Sequence, residues 1–339
     1  MQKTTFGKTN LTVSRTGMGC IPIQRISYEA STALLQRAYE AGITLYDTAN
    51  GYTTSEDRIG TALHHVRQNI VLCTKSSAKT PETLMAHIEN SLEKMRTGYI
   101  DVFQFHNPNF VPRPGDETGL YETALKAKEQ GKIRHIGITA HKKNLALEAV
   151  ESDLYETLQY PFSYLSSADE VALVELCNAK NMGVLSMKAL CGGLLTNAKA
   201  AFAFQRQYDV VPIWGIEKMH QLEEFIAYEA NPPAMDEEML ATIEADKKSL
   251  AGSFCRSCGY CLPCPVNIPI PQAARLSFLM GRTVREKFET PEWEENMRGI
   301  DNCLNCGHCT ANCPYELDVP TLLRSQQKTY FEAMQALKS

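Results

Sequence analysis

The chain of 339 residues has no long basic run: 34 lysines and arginines are interspersed with 39 acidic residues, for a formal net charge of -5. That balance argues against nucleic acid or an anionic membrane as partner, because both are held by clustered cations. Nowhere do 18 apolar residues follow one another, so no transmembrane helix is expected. The opening MQKTTFGKTNLTVSRTG lacks the apolar centre of an export signal, which makes the cytoplasm the expected location. Also missing is a Gly-x-Gly-x-x-Gly after the first expected strand, the mark of doubly wound dinucleotide folds. No flavin-binding motif is evident.

What is present is an alternation. From residue 17 to about 230 an amphipathic helix, a glycine and a short apolar strand recur. Ser27 can cap a helix carrying Leu34, Leu35 and Ala38, which Gly42 ends before ITLYDTA. Thr80 and Pro81 open another, with Leu84, Ile88, Leu92 and Met95 on one face, and Gly98 stops it before IDVFQFH. Gly131 precedes IRHIGIT and Gly183 precedes VLSMKAL; TGMGCIP, NIVLCTK, TLQYPFS and VVPIWG complete eight strands. A cap at the start, a glycine past the end and a strand after it make up an αβ unit. Eight such units predict an α/β fold, a (β/α)8 TIM barrel, over residues 1–235. Asn231-Pro232-Pro233 marks its end, and residues 236–339 are expected to hold a linker helix and a small, mostly α-helical ferredoxin-like domain.

Strand alternation puts Asp47, Lys75 and His106 at the C-terminal ends of strands 2, 3 and 4, where barrel enzymes keep their chemistry. Tyr52 follows in the loop after strand 2. A lone strand-end histidine is usually a packing or loop residue, and a loop tyrosine alone says nothing. A lysine ending an apolar strand needs a counter-charge, which Asp47 can supply. Four such groups on three adjacent strands point to a catalytic site.

The motifs YDTANGY, the lysine after strand 3 and FQFHNP resemble the aldo-keto reductase superfamily over about 230 residues, in order. The resemblance implies that Asp47, Tyr52, Lys75 and His106 form the catalytic tetrad of an NAD(P)H-dependent oxidoreductase. Such an enzyme reduces an aldehyde or ketone, or oxidises the corresponding alcohol. Tyr52 would protonate the nascent alkoxide, Lys75 would lower the phenol pKa, Asp47 would hold Lys75, and His106 would orient the carbonyl. It also implies coenzyme contacts from Thr139, Gln159, Met187, Lys188 and Leu190, with Ala140 standing where the family has asparagine. Gly215, Glu217, Gln221 and Glu224 fall in the expected adenosine-phosphate loop. Without the usual cationic fork there, a strong NADPH preference is not expected. Arg25 and Arg113 are candidate anion contacts for substrate or else surface charges.

Twelve cysteines are present, and eight lie between Cys255 and Cys313. In a chain without an export signal this clustering indicates metal rather than disulfides. CRSCGYCLPCP and CLNCGHCTANCP match the spacing of [4Fe–4S] ferredoxins, with paired Cys₄ zinc sites as the competing reading. The ferredoxin pattern assigns Cys255, Cys258, Cys261 and Cys313 to one cluster, and Cys264, Cys303, Cys306 and Cys309 to the other. Cys264 departs from the pattern, with two residues before it instead of three. Cys20, Cys73, Cys177 and Cys191 read as packing residues. The clusters would either exchange electrons with a redox partner protein or hold structure in place. The alternative function is an electron-transfer or scaffold protein whose barrel does not catalyse hydride transfer.

Overall fold

The computed structural model describes residues 1–250, 254–282 and 288–338. The chain forms two compact units, Met1–Ala189 with Lys199–Met239, and Leu190–Ala198 with Leu240–Ser339.

In the first unit a hairpin, β1 (Lys3–Thr5) and β2 (Thr12–Ser14), precedes eight parallel strands. These are β3 (Gly17–Gly19), β4 (Leu45–Asp47), β5 (Val71–Ser76), β6 (Ile100–His106), β7 (Ile133–Thr139), β8 (Thr157–Pro161), β9 (Gly183–Met187) and β10 (Val211–Gly215). β10 pairs with β3, which closes the barrel expected from the sequence. A helix follows each strand. The local chemistry explains the helix ends: the Ser27 side chain accepts from the Ala30 amide at the start of Tyr28–Glu40, and Thr80 accepts from Thr83 ahead of Pro81–Lys94. Ser167 and Glu170 form a reciprocal capping box at the start of Ala168–Ala179.

The hairpin was not anticipated. Its three-residue strands carry too little alternation to register. Tertiary packing holds it: Phe6 and Val13 are buried with Leu45, Val71, Val102, Leu185 and Val211 at the N-terminal side of the barrel. Burying the Phe6 ring is worth about 1.5–3 kcal/mol. It lies flush on Gly183, where any Cβ would stand 2.8 Å from the ring.

The second unit is mostly helical: Ile270–Ala273, Leu276–Arg282, Pro291–Arg298, His308–Ala311 and Val319–Lys338 surround a small core of Ile268, Leu276, Met297, Ile300, Leu323 and Tyr330. Five of the cysteines, Cys255, Cys264, Cys303, Cys309 and Cys313, pack against that core. The segment Leu190–Ala198 belongs to this unit although it lies between two barrel strands in sequence. Arg275, 6% exposed, ties it down by donating from Nη1 to the Gly192 carbonyl at 2.7 Å.

Candidate active site and cysteine cavities

Parallel pairing sets the polar side chains of β4, β5 and β6 beside one another, with Lys75 in register with Gln104. Lys75 Nζ donates to both Asp47 carboxylate oxygens, at 2.8 and 2.7 Å, and to the Thr48 carbonyl at 2.6 Å. Both side chains of the pair are almost wholly enclosed. Tyr52 lies over this pair, its ring centroid 5.4 Å from Lys75 Nζ, and meets the His106 ring edge-on at 5.9 Å. The four residues singled out in the sequence are thus one constellation.

The electrostatics differ from expectation at Tyr52. Loss of solvent, reinforced by the Asp47 carboxylate, raises the phenol well above its ordinary value instead of lowering it. Lys75 makes its hydrogen bonds to Asp47 and Thr48, so its charge is largely compensated before it reaches the phenol. Burial raises the Asp47 carboxyl as well, opposed by Lys75, Gln104 and Gln159. Burial, then Lys75, lowers His106 to about 3, so its imidazole is neutral at physiological pH.

The residues expected at the coenzyme are spread along later strand ends, and several already have protein partners. Thr139 Oγ1 accepts from the Asn107 amide at 2.8 Å. Gln159 Nε2 reaches Asp47 Oδ2 at 3.4 Å and Met187 Sδ at 3.7 Å. Lys188 stands in the left-handed region at φ 57° just after β9, and Leu190 is half-buried beyond it. Gly215 is exposed at the end of β10. Gln221 Oε1 accepts from the Glu217 and Lys218 amides and so caps Met219–Ala230. Glu217 faces Arg25 at 3.9 Å, and Glu224 accepts from Tyr228 at 2.6 Å. Arg113 pairs with Glu148, an exposed surface contact rather than a pocket cation.

Three residues near the site were not singled out in the sequence. Gln104, fully buried, donates to Asp47 Oδ1 at 3.3 Å and to Gln159 Oε1 at 3.1 Å. Asn107 accepts the His141 amide at 3.1 Å. His141 is held well below its ordinary pKa by burial, then by Lys188 and His106. The position of Gln104, on the same strand face as His106, was the available signal; nothing local marks His141.

In the second unit the eight cysteines line two cavities. Cys255, Cys258, Cys261 and Cys313 border one, with Ile270, Leu317 and Val319 completing its apolar wall. Cys264, Cys303, Cys306 and Cys309 border another, which Cys261 also touches. Among the described residues no three His, Cys, Asp or Glu side chains converge as a single ion requires. The thiols spaced around each cavity, with His308 also at the second, suit a polynuclear cluster better than zinc, whose ligands close on one point. The four other cysteines, Cys20, Cys73, Cys177 and Cys191, are buried.

Residues 15–201 match the aldo/keto reductase family, and residues 254–318 match the 4Fe-4S dicluster domain. The chain is 26% identical over 210 residues to the uncharacterized oxidoreductase YqkF of Bacillus subtilis, covering 58% of this chain and 67% of that one. It is 25% identical over 294 residues to L-galactose dehydrogenase of Arabidopsis thaliana, covering 71% and 92%. A solved aldo-keto reductase from Bacillus halodurans, in its holo form, superposes with a TM-score of 0.63 at 22% identity, over 73% of this chain and 96% of that one, a likeness of fold. No helix among the described residues is long and apolar enough to cross a membrane. With the first match spanning more than half its length, the chain belongs to the aldo/keto reductase family, as an NAD(P)-dependent oxidoreductase that carries a 4Fe-4S dicluster domain.

Proposed function

We propose that the protein interconverts a small aldehyde or ketone and its alcohol, with residues 1–235 as the catalytic domain and 236–339 as the iron–sulfur domain. The observation that carries this is the convergence of Tyr52 and His106 over the buried Lys75–Asp47 pair. The nicotinamide coenzyme, when bound, supplies or accepts the hydride. Neutral His106 is suited to donate a hydrogen bond to the carbonyl oxygen and orient it. The raised Tyr52 pKa keeps the phenol protonated, as a proton donor must be, and the phenol is still far more acidic than the alcohol it would form. Asp47 holds Lys75 in place beneath it. Gln159 and Met187 at adjoining strand ends, with Thr139 nearby, offer an amide, a thioether and a hydroxyl suited to a carboxamide-bearing ring.

Lys188 and Leu190 would lie along the pyrophosphate, and Gly215, Glu217, Gln221 and Glu224 beside the adenosine end. Gln221 spends its carbonyl on capping, and Glu217 faces Arg25, so no cationic fork is assembled from these positions. A strong NADPH preference is therefore not expected. The measurement is the ratio of Michaelis constants, and a hundredfold preference for NADPH would overturn this part.

The two cysteine cavities support one [4Fe–4S] cluster each, ligated by Cys255, Cys258, Cys261 and Cys313, and by Cys264, Cys303, Cys306 and Cys309. Such clusters would exchange single electrons with a partner protein, or brace the helical unit. Cys306 and its neighbour Leu304, 64% exposed, favour exchange at the second cluster, because a redox partner needs an accessible edge. An anaerobic screen of carbonyls and alcohols against both coenzymes tests the reaction. Bleaching of the cluster absorption by NADH and substrate marks electron exchange, and its absence marks a structural role.

A further inference from the structure

The barrel interior carries an amide pair that the tetrad chemistry does not use. Gln104 and Gln159 sit on β6 and β8, on either side of β7, where Gly137 pairs with Gln104 and with Thr157. That glycine makes the room: a Cβ on it would stand 2.1 Å from Thr157 Oγ1 and 3.1 Å from Gln104 Cγ. Both N–H groups of Gln104 have acceptors, Asp47 Oδ1 and Gln159 Oε1. This fixes the Gln159 amide. With Oε1 turned to Gln104, its nitrogen must face Asp47 Oδ2 and Met187 Sδ. The flipped amide would set two NH₂ groups against each other. Asp47 in consequence receives contacts from Lys75 on both oxygens and from one amide on each.

The arrangement has a cost that plain packing would not incur. Gln104 Oε1 is buried, and among the described residues none donates to it. An apolar side chain in this space would leave no such orphan, so it is the amide nitrogen that the position uses.

We propose that Gln104 is a positioning residue that couples the two ends of the active site: one hydrogen bond steadies the Asp47–Lys75 pair beneath Tyr52, the other sets the amide that Gln159 presents beside Met187. This rests on the proposed coenzyme and tetrad roles. Its signature is a joint effect, since a residue serving only one end would change only one of them.

The test compares Gln104→Leu and Gln104→Glu with the parent protein. Leu is expected to lower kcat/KM about tenfold or more, to move the pH profile of kcat, and to weaken NADH binding measured without substrate. The Glu side chain, buried beside a carboxylate, will have a raised pKa, so it keeps a donor only at low pH. Its activity should therefore recover as pH falls and decline as pH rises, more steeply than in the parent. A lowered melting temperature with unchanged pH profile and unchanged NADH affinity would reduce Gln104 to packing and overturn the proposal. Movement of only one readout would overturn the coupling. Tyr52→Phe serves as the separate control: if it retains turnover, the tetrad reading fails, while the NADH-binding comparison still tests how Gln104 acts on Gln159.

Discussion

Lys75 and Asp47 form a buried ion pair across neighbouring strands, with Nζ within 2.8 Å of both carboxylate oxygens and hardly any surface left to solvent. Removing one partner strands the other charge in the barrel. Lys75→Met should therefore cost about 3–5 kcal/mol of stability as well as turnover. Adding Asp47→Asn should restore much of the stability and none of the activity. Urea unfolding and initial rates on both variants check this, and turnover regained by the double variant would exclude an essential Lys75.

Tyr52→Phe keeps the ring but removes the hydroxyl proposed as proton donor. Turnover should fall by about 10²–10⁴-fold. NADH binding should change little. The half-buried ring also spares the fold, so the melting temperature should stay within a few degrees of the parent's.

His106 links pH to stability. Its folded pKa, about 3, lies below the ordinary 6.5. The unfolded chain takes up this proton first, so its contribution is intact above about pH 6.5 and is lost as pH falls toward 3. His141 shifts in the same direction and adds to the effect. His106→Gln should flatten the loss of unfolding free energy between pH 7 and 5; an unchanged slope would mean that His106 ionises freely in the folded state.

Cysteine replacement tests the ligand sets. Cys306→Ala and Cys258→Ala should each remove about half of the bound iron and sulfide, by draining one cavity apiece. Loss of all iron from either variant would show that the two sites do not assemble independently.

Gly192 stands at φ 66°, and a Cβ on it would lie 3.0 Å from Arg275 Nη1 and 3.3 Å from Ser257 Cβ. Gly192→Ala should destabilise the second unit by about 1–2 kcal/mol, since it demands a left-handed alanine as well as space. Ser257 lies between two cysteines of the first cavity, so this variant should also lose iron faster under chelator.

Much of this protein was legible locally. Helix caps at Ser27 and Thr80, glycines at the helix ends and short apolar strands announced the barrel, because those signals act within a few residues. The spacing of the eight cysteines likewise announced a dicluster domain. Asp47, Lys75 and His106 were visible because a polar side chain closing an apolar strand is conspicuous, and Tyr52 because it follows Asp47 by five residues in the adjoining loop, its role coming from the family resemblance.

Other features depend on closure of the barrel and on packing between distant segments. Gln104 lies 57 residues from Asp47, and Gln159 lies 112 residues from it, so no window of sequence reveals that their amides meet one carboxylate. The direction of the Tyr52 shift, upward through burial and Asp47, emerges only once Lys75 is seen hydrogen-bonded elsewhere. The packing of Phe6 on Gly183 and the assignment of Leu190–Ala198 to the cysteine-bearing unit have the same origin. Short-range order follows from neighbours along the chain, whereas desolvation and the sharing of hydrogen-bond acceptors are set by whichever groups the finished fold brings together in space.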